Sequence, residues 1–112
     1  MARATTRVEL HEDDERTKVL KITSEEYTRL HAEMWKRGFR RFVVNGEDQM
    51  QQLPPAEYSY EGGDTIEALA EKIKAAAHAA VKSHKRYSYI VTRTTESRKW
   101  YNLKVIAKDP DA

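Results

Sequence analysis

The chain of 112 residues has no cysteine, which excludes disulfide staples and any metal site built on thiolates. It has four histidines, His11, His31, His78 and His84, with no i, i+4 couple among them. No metal and no cofactor are expected. Glycine is scarce, at four residues, and no glycine-rich phosphate loop can be assembled. Gly62-Gly63 precedes a helical stretch but lacks a following lysine-serine pair, so it reads as a turn. No apolar run approaches the length of a membrane span, and Met1-Ala2-Arg3-Ala4-Thr5-Thr6 lacks the apolar centre of a signal peptide. No membrane is expected, and a cytoplasmic location is the default. Charge of one sign is also lacking. Twenty Lys and Arg against eighteen Asp and Glu give a net charge of +2, a mixed surface rather than that of a strongly basic nucleic-acid binder.

What is present is an ordered succession of patterns. The length implies one domain, residues 1–112, with a core of about 5–106 and a frayed tail over 107–112. Thr5 to His11 alternate as a half-buried strand. An acidic turn, Glu12-Asp13-Asp14-Glu15-Arg16, follows. Val19 to Ile22 then either extend a bent first strand or close a small hairpin. Thr23 and Glu26 have capping-box spacing, and Tyr27, Leu30 and Met34 make one helical stripe. Lys36 and Arg37 suit the negative helix end, and Gly38 with Phe39 supplies the stop. Arg40 to Val44 read as a strand leading to an Asn45-Gly46 two-residue hairpin. Pro54-Pro55 mark a break, and Ala56 to Tyr60 alternate again. Asp64 and Glu67 form a second capping box ahead of the stripe Ile66, Leu69, Ala70, Ile73, Ala77, Ala80 and Val81. Tyr87 to Thr94 form another strand, and Trp100 to Ile106 are either a final strand or a strand extension. This order, β-α-β-β-α-β, predicts an α+β, ferredoxin-like split βαβ two-layer sandwich: an antiparallel sheet with two helices on one face.

The segment from Tyr27 to Met34, followed by Gly38-Phe39, joins three others in one pattern. They are Leu53-Pro54-Pro55-Ala56-Glu57-Tyr58, Ile90-Val91-Thr92-Arg93 and Trp100-Tyr101-Asn102-Leu103. From Thr5 to about Leu103 the chain resembles the GhoS-type antitoxins of type V toxin–antitoxin systems. That resemblance implies a ferredoxin-like sheet and endoribonuclease activity on a toxin message. The chain departs from it in the acidic segment Glu12 to Lys18, and in His31, which stands where the family has an arginine.

Several groups carry candidate chemistry. His31 borders the apolar stripe of the first helix, where an imidazole titrating near ~6.5 serves as a general base; the simpler reading is a locally bonded boundary histidine. Arg37, Arg40, Arg41, Lys85 and Arg86 are candidate phosphate contacts for RNA, or else ordinary helix-end and surface charges. Glu12, Asp13, Asp14 and Glu15 form either a hydrated loop, a carboxylate set for Mg²⁺, or an acidic plug for a protein partner. Tyr58, Tyr60, Tyr87 and Tyr89 are a base-stacking platform if they face away from the helices, and core if they face them. The leading reading is a small RNA-binding regulator of the GhoS kind. The rival is a non-enzymatic, phage-type inhibitor, anti-CRISPR-like, that binds a host protein complex. A homodimer pairing edge strands is the third.

Overall fold

In the computed structural model, which describes residues 2–112, the elements run β1 (Arg3–Leu10), α1 (Glu25–Lys36), β2 (Phe42–Val44), β3 (Met50–Gln52), β4 (Glu57–Glu61), α2 (Ile66–Val81), β5 (Tyr87–Thr94) and β6 (Val105–Ile106). The architecture is α+β, with two helices and two antiparallel three-stranded sheets ordered β4-β1-β5 and β2-β3-β6. The expectation of one sheet is therefore corrected to two.

Alternation places β1 at the centre of the first sheet. Ala4, Thr6, Val8 and Leu10 are buried, while Arg7 is exposed and Thr5 and Glu9 are only half-buried. Register carries the same side through the neighbours: Thr6 faces Tyr58 and Val91, Val8 faces Tyr89, and Leu10 faces Tyr87. Leu30, Met34, Leu69, Ile73 and Ala77 from the helices join these residues in one core. Alanines at 76, 77 and 80 are fully buried, and their small side chains let α2 lie close to the strands.

Both helices start one residue later than capping-box spacing predicts. The Ser24 hydroxyl accepts from the Tyr27 amide at 3.4 Å, and Thr65 accepts from the Ala68 amide at 3.2 Å. Tyr27 sets the first register, because its phenol oxygen accepts from the buried Leu10 amide at 3.0 Å. Asp64 is diverted from capping by an ion pair with Lys72. At the far end of α1 the glycine stop holds: Gly38 has φ +94°. Its amide donates to Trp35 O and that of Phe39 to Met34 O, each at 3.0 Å, the paired bonds of a Schellman ending.

The chain after α1 bridges the β4 backbone at Arg40, which exchanges bonds of 2.8 and 2.7 Å with Ser59, while Phe39 packs on the Tyr60 ring. It then folds back on itself. The turn is longer than the two-residue hairpin expected of Asn45-Gly46. Asn45 pairs with Gln49, and the left-handed position falls on Asp48 (φ +60°). The Asn45 side-chain oxygen accepts from the amides of Glu47 and Gln49, fixing this wider loop. Pro54-Pro55 then stop β3, and Ala56, at φ +68°, swings the chain into β4. That break separates the two sheets.

Two open points resolve. His11 bridges Val19, and the Leu20 amide donates to Leu10 O at 2.8 Å, so the early segment closes a small hairpin. The last strand is only Val105–Ile106, paired with β3. The tail expected to fray over 107–112 is held at two points. Trp35 Nε1 donates to Asp109 at 2.9 Å, and Arg41 makes a bidentate pair with Asp111 at 2.8 and 2.6 Å. Among the described residues no helix is long and apolar enough to cross a membrane.

Candidate functional site

The helix-free side of β4-β1-β5 carries Arg3, Thr5, Arg7 and Glu9 from β1, with Ser59 and Glu61 from β4, by simple alternation. Ser59 is buried there because Arg98 lies over it. The Arg98 Nη1 donates to Ser59 Oγ at 2.8 Å and to Thr5 Oγ1 at 3.3 Å. Its Nε is buried with no partner. Burial pushes this guanidinium below its ordinary value, with Glu61 opposing and Arg3 adding to the shift. A partly desolvated cation held by hydroxyls alone is costly, and an anion would relieve that cost.

Arg98 borders a cleft of about 670 Å³ between the two sheets, shared with Arg3, Arg40, Phe42, Val44 and Trp100. The other two arginines have carboxylate partners. Arg3 meets Glu61 at 3.2 Å. Arg40 reaches Asp109 at 3.5 Å and lies 4.6 Å from the centre of the Trp35 ring. Trp100 is pinned by its indole N–H to Gln51 at 3.0 Å. The cleft therefore combines positive charge with an aromatic and apolar wall, which suits an anion attached to a flat ring.

Of the five phosphate contacts proposed from sequence, only Arg40 reaches this cleft. Arg37 pairs with Glu33 at 2.8 Å, Arg41 with Asp111, and Arg86 with Asp14 at 2.9 Å. Lys85 is exposed and lends its carbonyl to Arg16. The structure does not bring the five together. Arg98 was not among the phosphate contacts expected from sequence. Its lack of a carboxylate depends on contacts with Thr5 and Ser59, far away along the chain.

His31 sits elsewhere. Its Nδ1 is 2.7 Å from the Tyr58 hydroxyl. Burial, and then the nearby Arg41 charge, lowers its pKa from 6.5 to about 4. Burial raises that of Tyr58, so Tyr58 keeps its proton and donates it to a neutral imidazole. His31 thus has its Nδ1 lone pair occupied and little basicity. It links α1 to β4 beside the Arg41–Asp111 pair.

The acidic loop is partly consumed by its own fold. The Asp13 carboxylate accepts from the amides of Thr17 and Lys18 and from the Thr17 hydroxyl, which lowers its pKa to about 2. Asp14 holds Arg86, leaving Glu12 and Glu15 outward. Tyr58, Tyr60, Tyr87 and Tyr89 all pack on the core side, so they are no stacking platform on the free face. The rings of His78 and His84 stack at 4.0 Å. Among the described residues no three His, Asp or Glu side chains gather to hold a metal ion. No protein-family model, curated protein or solved structure matches this chain.

Proposed function

We propose that the protein is a small cytoplasmic regulator of the GhoS kind that binds single-stranded RNA in the Arg98 cleft. The observation that carries this reading is the Arg98 guanidinium: half-sunk, held by two hydroxyls, with an unpartnered Nε and no carboxylate. A phosphodiester supplies the missing acceptor, and Trp100 and Phe42 offer surfaces against which a base can lie. The reading is one of holding RNA rather than cutting it, because His31 is a poor base and lies outside the cleft. The β4-β1-β5 order with both helices on one core supports a split βαβ layout. In it the strand after α1 is reduced to the Arg40–Ser59 bridge and the chain is diverted into the second sheet. The rival inhibitor reading loses support from the acidic loop, since Asp13 and Asp14 are engaged within the molecule.

Fluorescence anisotropy with a labelled single-stranded RNA tests this. Binding is expected at low salt and weakens as salt rises. Arg98→Met is expected to weaken it about tenfold or more, the scale of a charged hydrogen bond. Equal affinity in the variant overturns the assignment of the cleft, and RNA shortened during incubation overturns the binding-only role.

A further inference from the structure

β5 is the outer strand of its sheet. The His11 amide donates to Arg86 O at 2.8 Å, and Glu9↔Ser88, Arg7↔Ile90 and Thr5↔Thr92 follow in the same phase. In an antiparallel ladder that phase turns the backbone groups of Ser88, Ile90 and Thr92 toward β1. Those of Tyr87, Tyr89, Val91 and Arg93 point outward, away from the sheet.

This edge is long and poorly guarded. Its sequence, Tyr-Ser-Tyr-Ile-Val-Thr-Arg-Thr, favours strands and carries one charge, no proline and no glycine. The opposite outer strand, β4, is blocked by the Arg40 bridge. Midway along β5, on the helix-free side, Ile90 is 68% exposed.

We propose that β5 pairs antiparallel with β5 of a second copy of this chain, across a twofold axis at Ile90. In this register Tyr89 faces the partner's Val91, and Tyr87 faces the partner's Arg93. Each pair then joins outward-pointing backbone groups on both strands and exchanges two hydrogen bonds. Ile90 meets its own copy in a close, non-hydrogen-bonded pair, which buries the most exposed apolar side chain of the strand. Shifting the axis to Tyr89 or Val91 keeps the backbone phase but sets Ile90 against Ser88 or Thr92 of the partner.

The helix side of the edge offers a second fit. A hollow of about 570 Å³ lies there, lined in part by Thr65, Ile66, Val91 and Arg93. Pairing Tyr87 with the partner's Arg93 brings one tyrosine ring to this hollow in each copy. The result is one continuous sheet, β4-β1-β5 joined to the same three strands reversed. This assembly stands independently of whether the cleft takes RNA.

The absence of native cysteine makes the test direct. Light scattering is expected to give twice the monomer mass. Ile90→Cys is expected to cross-link to itself under mild oxidation, because its axis position puts the two Cα atoms about 4.5 Å apart, within disulfide range. Ser88→Cys alone is not, since four residues of offset separate the two copies by about 13 Å. A mixture of Ser88→Cys and Thr92→Cys chains is expected to cross-link to each other. Ile90→Arg, at a surface position, is expected to raise the dimer dissociation constant about tenfold or more with an unchanged circular dichroism spectrum. A monomer at every concentration overturns the proposal. So does an Ile90→Arg protein that dimerises as before, or Ser88→Cys cross-linking as fast as Ile90→Cys.

Discussion

The two sheets are held together by different physics. The β4-β1-β5 sheet is backed by both helices and shares their core, in which Val8, Leu10, Leu30, Leu69 and Ile73 have no exposed surface. In β2-β3-β6 the strands are two or three residues long, and Val43 alone of their residues is buried. Polar side chains do much of the joining there. Gln51 donates to Leu103 O at 2.9 Å and accepts from Asn45 and from the Trp100 indole. Burial of apolar surface contributes far more free energy per residue than exposed hydrogen bonds do. The first sheet is therefore the stable body, and the second is the part that opens at lower cost. Since the Arg98 cleft lies between them, one wall of the candidate site is firm and the other is compliant.

The contrast is broken most severely by a cavity in the stable half. Leu30→Ala is expected to lose about 2–5 kcal/mol, read from urea unfolding. A loss below about 1 kcal/mol would mean that the helix layer is not the main source of stability.

A smaller effect comes from acid. His31 has a folded pKa of about 4 against an ordinary 6.5. Between those values the unfolded chain binds more protons than the folded one, so stability is complete above about pH 6.5 and falls as pH drops toward 4. Because the ring is not fully shielded from solvent, about 2 kcal/mol is expected from this group. His31→Asn, which can still accept from Tyr58, is expected to flatten the slope across that window in unfolding curves. An unchanged slope would assign the acid sensitivity to other groups. Asp13 acts in a different window. Its folded pKa is depressed to about 2, so its contribution is lost only below the ordinary carboxylate range.

The smallest effect sharpens the comparison from the other side. Gln51→Ala is expected to cost about 1 kcal/mol or less of global stability, while speeding amide hydrogen exchange in β2, β3 and β6 and leaving β1 unchanged. Equal acceleration in both sheets would show that the two halves open together.

How much of this was legible beforehand depended on sequence distance. The helices were, because the spacing of Tyr27, Leu30 and Met34, and of Leu69, Ile73 and Ala77, is a local signal tied to a 3.6-residue turn. Strand β5 was readable because its two-residue alternation is equally local. The cap residues were misplaced by one because Ser24 competes with Thr23, and Thr65 with Asp64, and distant contacts with Leu10 and Lys72 decide between them. The second sheet was missed because two- and three-residue strands leave almost no periodicity. The candidate phosphate contacts were read as free charges, yet Arg41 and Arg86 find their carboxylates about seventy positions away along the chain. Nothing local marks Arg98 as the one left with hydroxyls only.

The two indoles fall on opposite sides of this division. Trp35 is anchored in the helix layer by Asp109 and Arg40, and Trp100 stands in the cleft against Gln51. Nature has thus placed one fluorophore in the rigid portion and another in the yielding one. With Trp35→Phe, and with excitation at the red edge where the six tyrosines do not absorb, the remaining emission becomes a private optical channel from the cleft, reporting occupancy or loosening there.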